Sequence, residues 1–227
     1  MVTAIIVAAG KSKRMGAHVD KAFLSLGPKP VIAYSLMAFE ACPAIDRIVL
    51  VVRKDQVDAG KSAGRLYGIS KLYAVVKGGA RRQTSVKCGM EAMDPDTTVI
   101  VVHDGARPLV TPDLIGETVR TAQRHGAAVA ASKVVDTVKV AAGRYLAVEG
   151  TIDRTKLWSA QTPQAFQADI LKRAYEKADA DKVVFTDDSS AVEALGEPVR
   201  LVKCQRPNFK ITLPDDLPAA NAILQFG

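Results

Sequence analysis

Ile5 to Met15 reads Ile-Ile-Val-Ala-Ala-Gly-Lys-Ser-Lys-Arg-Met, an apolar run of strand type that breaks into small residues and then into a loop carrying Lys11, Lys13 and Arg14. Backbone N–H groups can close on an anion only where no bulky side chain intervenes. Ala8, Ala9 and Gly10 meet that condition, and the three cations supply the opposing charge. The pattern suits a polyphosphate. It also suits an ordinary strand-to-loop transition with solvated lysines, and Lys21, just after the loop, tips the reading toward phosphate.

Two further segments carry similar chemistry. Gly78-Gly79-Ala80-Arg81-Arg82-Gln83-Thr84-Ser85 offers a glycine pair that permits positive φ and close backbone approach, with Ser85 placed to donate to a base or phosphate, or else to cap a helix as Thr84 could. His103-Asp104-Gly105-Ala106-Arg107-Pro108 ends an apolar strand on a carboxylate, which burial makes costly unless a cation faces it. That cation is Mg²⁺, with water and phosphate filling its other positions, or the neighbouring Arg107. No Ser or Cys nucleophile accompanies His103, which reads as a packed strand-end residue. Asp136-Thr137, Asp153-Arg154 and Asn208-Phe209-Lys210 would each pass alone as turn chemistry, and Gln161-Thr162-Pro163-Gln164 as a substrate contact or a turn. Thr186-Asp187-Asp188-Ser189 reads as a helix start without a catalytic task.

These residues must be positioned by the elements between them. Short β-branched runs at Val2 to Ala8, Arg47 to Val52, Leu72 to Val76, Thr98 to His103 and Ala127 to Ser132 are apolar nearly throughout, as for strands covered on both faces. Helical patterns at Val31 to Ala41, Thr84 to Met93 and Pro112 to His125 alternate with them, the last opening on Thr111 as N-cap. The alternation predicts an α/β fold, a Rossmann-like and mostly parallel sheet with helices on both faces and right-handed crossovers. Its ligand belongs in the crevice beyond the carboxyl ends of the strands, where the three basic segments fall. Between Val134 and Asp153 the rhythm breaks into a hairpin, Thr137 to Val140 and Tyr145 to Val148, with little core face of its own. It must lean on the body or on a second copy of the chain. Toward the C-terminus, helices near Ala168 to Lys177 and Asp187 to Leu195, a strand near Val199 to Lys203 and a helix after Pro214 complete the pattern.

The 227 residues fit one domain, and a net charge of +7 is compatible with nucleic acid, an anionic membrane or a phosphorylated small molecule. Aromatics are only 5% and no nucleic-acid module is recognisable, so the dispersed cations point to separate phosphate contacts rather than to nucleic acid. Cys42, Cys88 and Cys204 are odd in number and unpaired in spacing, which indicates neither a disulfide framework nor a zinc site. No signal-peptide pattern and no apolar run of bilayer length is found, so the expected setting is cytoplasmic and away from membranes.

Taken in order, Ala8-Ala9-Gly10 to Arg14-Met15, Lys21, Gly78-Gly79 with Arg82 and Ser85, Val102 to Pro108, Asp136-Thr137, Asp153-Arg154 to Trp158, Thr162-Pro163-Gln164 and Asn208-Phe209-Lys210 resemble the motifs of the 2-C-methyl-D-erythritol 4-phosphate cytidylyltransferase family. The resemblance implies transfer of CMP from CTP to methylerythritol phosphate, with release of pyrophosphate, in non-mevalonate isoprenoid synthesis. It implies a single nucleotidyltransferase domain over 1–227, with 133–154 as a β-arm of a homodimer. Ala8, Ala9, Gly10, Gly79, Ser85 and Ala106 would bind the nucleotide, and Asp104 would bind Mg²⁺. Arg14, Lys21 and Lys210 would be the catalytic cations. Arg107, Thr137, Arg154 and Thr162 would hold the sugar-alcohol phosphate, with Thr137 and Arg154 serving the neighbouring subunit. Ser12 stands where the family's loop often has Gly, and Ala80 where some relatives carry an acid after the two glycines. A related family using ribitol phosphate and a non-catalytic nucleotide- or RNA-binding protein are the competing readings.

Overall fold

The structure, a computed structural model, describes residues 1–10, 20–143 and 146–226. In chain order its elements are β1 (Val2–Ala8), the short pair β2 (Ser25–Leu26) and β3 (Lys29–Pro30), α1 (Val31–Ala41), β4 (Arg47–Val52), α2 (Val57–Leu66), β5 (Leu72–Lys77), α3 (Arg82–Glu91) and β6 (Val99–Asp104). There follow α4 (Pro112–His125), β7 (Ala127–Lys133), β8 (Val138–Ala142), β9 (Ala147–Ile152), β10 (Trp158–Gln167), α5 (Ala168–Ala180), α6 (Asp188–Ala194), β11 (Arg200–Lys203) and α7 (Asp216–Phe226).

Seven strands form one sheet in the order β11-β7-β10-β6-β1-β4-β5. All neighbours run parallel except β10, which is antiparallel to both β6 and β7. Alternate residues of each strand supply two separate cores, which is why the strands are apolar throughout. Ala4, Ile6, Ile48, Leu50 and Val101 pack with Leu36, Phe39, Ile115 and Val119 of α1 and α4 on one face. Ile5, Val49, Val51, Ile100 and Val102 pack with Val86, Leu171, Tyr175 and Val192 of α3, α5 and α6 on the other. The expected α/β architecture is thus present, with helices on both faces. Among the described residues no helix is long and apolar enough to cross a membrane.

Local chemistry accounts for several boundaries. The Thr111 hydroxyl accepts from the Leu114 N–H at 3.3 Å with Pro112 following at the first helical position, and Gly126, at φ +90°, terminates α4. α3 begins at Arg82, two residues before the expected Thr84, because Arg81 occupies the cap position without a side-chain cap bond. The Ser85 hydroxyl instead ties the turn together, accepting from Gly79 N at 3.1 Å and donating to the Arg81 carbonyl at 3.0 Å.

Two elements differ from expectation. Gln161-Thr162-Pro163-Gln164, expected as a substrate contact or a turn, lies inside β10, between the strands β6 and β7. Its polar groups are satisfied internally: Gln164 donates to Asp187 at 2.7 Å and accepts from Ser189 N at 3.0 Å. Pro163, which has no N–H to give, falls where the pairing of β10 with β7 shifts register. The arm begins later than residue 133, since Lys133 still belongs to β7 in the central sheet; β8 and β9 form a separate two-stranded ribbon. Tyr145, the expected start of the second arm strand, lies outside the described residues. Val135, Leu146 and Val148 on or beside this ribbon are 63–78% exposed.

Candidate active site

A cavity of about 790 Å³ opens at the carboxyl ends of β1, β4, β5 and β6. That is where an open parallel sheet places its ligands. Ala8, Ala9 and Gly10 form the wall that continues β1, Gly79 and Ser85 the wall after β5, and Asp104 and Ala106 the wall after β6. Lys21 and Lys210 enter from loops on the same side. Their meeting is built by a single stretch of chain: Lys210 Nζ contacts Asp104 Oδ2 at 2.9 Å, while Lys21 Nζ donates to the carbonyl of the next residue, Ile211, at 3.0 Å. Arg14, with Lys11, Ser12 and Lys13, lies outside the described residues.

The glycine pair serves by size rather than by positive φ, which neither Gly78 nor Gly79 adopts. A Cβ on Gly78 would stand 2.4 Å from the Ala9 Cβ, and one on Gly79 would stand 2.3 Å from the Thr84 Cγ2. The walls after β1 and β5 therefore approach closely because Gly78 lacks a side chain, and Gly79 lets its own turn close against Thr84.

Asp104 is the electrostatic centre. Arg82 Nε lies 3.2 Å from its Oδ1, Lys210 Nζ 2.9 Å and Arg107 Nε 3.6 Å from its Oδ2. Burial opposes ionisation, but the combined attraction of Lys210, Arg82 and Arg107 holds the carboxyl well below the usual carboxylate range. The sequence suggests one partner for this carboxylate, a metal ion or Arg107, whereas three cations of the chain converge on it. Among the described residues no cluster of three or more Asp, Glu, His or Cys could hold a metal by itself.

The remaining expected ligand contacts are not brought to the cavity. Arg107 lies behind Asp104, its Nη1 donating to the Asn208 carbonyl at 2.9 Å. Thr162 is 3% exposed, and its hydroxyl accepts from Asp104 N at 3.0 Å and faces His103 Nδ1 at 3.1 Å. As placed, it fixes the Asp104 backbone rather than reaching a ligand. Thr137 and Arg154 are exposed on the arm and do not line their own chain's cavity; the Arg154 guanidinium donates to the Val135 carbonyl. The cavity also holds groups that the motifs do not assign. Arg53, Lys54 and Asp55 line it after β4. They are recoverable from sequence, because the same strand-end rule that picks out the loops after β1, β5 and β6 applies to β4. Arg82, which enters the sequence reading only as part of a motif, bridges Asp104 to a buried second carboxylate, Asp188.

Known proteins agree with the family and fold that the motifs imply. The family model for 2-C-methyl-D-erythritol 4-phosphate cytidylyltransferase matches residues 2–226. The chain belongs to that family. Among curated cytidylyltransferases of this name, the one from Pelotomaculum thermopropionicum is 44% identical over 99% of this chain and 94% of its own length. That from Alkaliphilus oremlandii is 41% identical over 97% of this chain and 94% of its own. Among solved structures, the 4-diphosphocytidyl-2C-methyl-D-erythritol synthase of Anaerococcus prevotii superimposes with a TM-score of 0.86 at 33% identity, covering 99% of this chain and 98% of that one. The cytidylyltransferase of Thermus thermophilus gives 0.80 at 32%, covering 97% and 98%. Membership in the cytidylyltransferase family thus extends over both the catalytic body and the arm.

His103, adjoining the hub of this cytidylyltransferase-family site, is fully buried against Phe39, with ring centroids 5.0 Å apart. Burial pushes its pKa from 6.5 down to about 3. The unfolded chain therefore binds a proton below pH 6.5 that the folded chain refuses. Stability attributable to this residue is full above pH 6.5 and is lost as pH falls toward 3, by about 1.4 kcal/mol per pH unit within that window. Urea unfolding at pH 7 and pH 5 is expected to show this loss, and a His103→Gln variant a shallower one; equal slopes in the two proteins would refute the assignment.

Proposed function

We propose that the protein transfers the cytidylyl group of CTP to the phosphate of 2-C-methyl-D-erythritol 4-phosphate, releasing pyrophosphate in the cytoplasm as a step of isoprenoid synthesis. The observation that carries this reading is the near-complete coverage by cytidylyltransferases at 44% identity. The cavity supplies the physical reason such a chain would work.

The acceptor phosphate is already an anion and is itself the nucleophile, so the protein needs no strong base. A phosphate oxygen of the acceptor forms a bond to the α-phosphorus while the bond from that phosphorus to the bridging oxygen breaks, its electron pair leaving on pyrophosphate. The obstacle is repulsion between two anions. Lys21 and Lys210, with Arg14 as third member, offset it, and each opposed charge at ~4 Å is worth on the order of 4 kcal/mol before desolvation is subtracted. Ala8, Ala9 and Gly10 admit the triphosphate to backbone N–H groups, while Gly79, Ser85 and Ala106 accommodate the nucleoside.

Asp104 fits Mg²⁺. It is a single, ionised carboxylate on the wall of a cavity lined by Lys21, Arg82 and Lys210, and this cation commonly takes one or two carboxylates and completes its shell with phosphate oxygens and water. When bound, the ion would neutralise triphosphate charge and hold its oxygens in line. Arg107 and Thr162, on the far side of Asp104, join the acceptor's recognition only if ligand draws them forward. Thr137 and Arg154 are assigned to the cavity of a second copy in a homodimer.

The test is pyrophosphate release with CTP, Mg²⁺ and either methylerythritol phosphate or ribitol phosphate. Release that requires CTP and methylerythritol phosphate is the expected result. Release only with ribitol phosphate would move the protein to the related family's reaction, and silence with both would overturn the enzymatic reading.

A further inference from the structure

Asp188 opens α6, where its type and place suggest nothing beyond a helix start, yet its side chain has no exposure at all. Its two oxygens are divided between two partners. Oδ1 accepts from the Tyr175 hydroxyl, and Oδ2 lies 2.7 Å from Arg82 Nη1. The other edge of the same guanidinium reaches the cavity, with Nε 3.2 Å from Asp104 Oδ1. One arginine thus spans a buried carboxylate and a cavity carboxylate, a geometry that its planar fork permits and a lysine's single ammonium does not.

Lys210 is held differently. It meets Asp104 through the other oxygen, and its side chain is 33% exposed. An entering triphosphate competes for every cation around Asp104. Lys210 can turn toward phosphate and remain paired, whereas Arg82 can leave only by stranding Asp188 as an unpaired charge in the core, which is costly.

We propose that Asp188 is a positioning residue: it tethers Arg82 so that Arg82 stays on Asp104, and Asp104 keeps its orientation, when the triphosphate draws Lys210 away. The inference rests on the reading that this cavity takes CTP. Asp188 touches no substrate and acts through Arg82 alone.

Asp188→Asn preserves shape and the bond from Tyr175 but removes the charge that holds Arg82. The expected result is a fall of about 10- to 100-fold in kcat, as for lost partners that orient a site's groups, with the KM for methylerythritol phosphate changed by less than about threefold. Tyr175→Phe removes the other partner of Asp188 and leaves the Arg82 pair intact. It is expected to lower the melting temperature while keeping kcat within about twofold of wild type. Adding Arg82→Lys to Asp188→Asn is expected to cost no more than Arg82→Lys alone, since both changes break one linkage.

A wild-type kcat in Asp188→Asn, an equal loss in Tyr175→Phe, or additive losses in the double variant would each overturn the proposal. If Asp188→Asn does not fold, Arg82→Lys decides: a kcat loss of the same size, with the lowered melting temperature that an unpaired Asp188 brings, supports the tether, and a wild-type kcat overturns it. Failure of the functional reading looks different, because the wild-type protein itself would then release no pyrophosphate from CTP and methylerythritol phosphate.

Discussion

Lys21→Ala is expected to lower turnover by about 10²- to 10³-fold while leaving the fold intact, the scale of losing one preorganised stabiliser of developing charge. Lys21 lines the cavity, and its ammonium donates to the neutral Ile211 carbonyl, one residue from Lys210. A backbone carbonyl is a weaker competitor for an ammonium than a phosphate is, so this bond yields readily to the substrate. Lys210 and Arg82 must give up or share Asp104. The loss should therefore fall on kcat more than on stability, and circular dichroism melting of the variant should match wild type within about 3 °C, as for an ordinary surface change. Turnover within tenfold of wild type in pyrophosphate release, from a protein with an unchanged melting curve, would remove Lys21 from the catalytic cations.

The amino-acid order singles out Lys21 but not the second partner of Arg82, and the difference follows from how each signal is encoded. Strands covered on both faces write a continuous apolar run, so the ends of β1 and β6 are visible, and with them Ala8 to Gly10 and Asp104. α1 and α4 coincide with their expected limits because Pro30 and Pro112 at their starts, and Gly126 beyond α4, are local signals. β10 is hidden because it runs antiparallel, is half polar, and contains a proline. Gln164 makes sense in a sheet only when Asp187 and Ser189 are known to meet it. Asp188 escapes for a similar reason: an acid at a helix start reads locally as a favourable interaction with the helix dipole, and only the tertiary fold shows it buried on Arg82. Gly78 and Gly79 are legible as places of close approach, but the contacts they avoid, with Ala9 and Thr84, belong to packing rather than to backbone dihedrals.

The arm leads to the second large effect. Thr137 and Arg154 sit beside the β8–β9 ribbon, exposed and off their own chain's cavity, and the ribbon carries apolar side chains with no core of their own to enter. A lone two-stranded ribbon is marginal in water, and apolar exposure of this kind marks a surface that another molecule covers. With a two-fold axis the arms would exchange, so that each cavity takes Lys21 from one chain and Arg154 from the other. Lys21→Ala and Arg154→Ala chains, each nearly inactive alone, are then expected to regain about a quarter of wild-type activity when mixed in equal amounts: half the dimers are mixed and one of their two sites is whole. The doubly altered site in the same dimer stays silent, which distinguishes complementation from simple stabilisation. Differently tagged chains isolated as mixed dimers sharpen the measurement, since there the expected activity is about half of wild type. Activity no higher than that of either parent, in dimers whose mixed composition is confirmed, would place Arg154 outside the shared site and leave the ribbon a role in assembly alone.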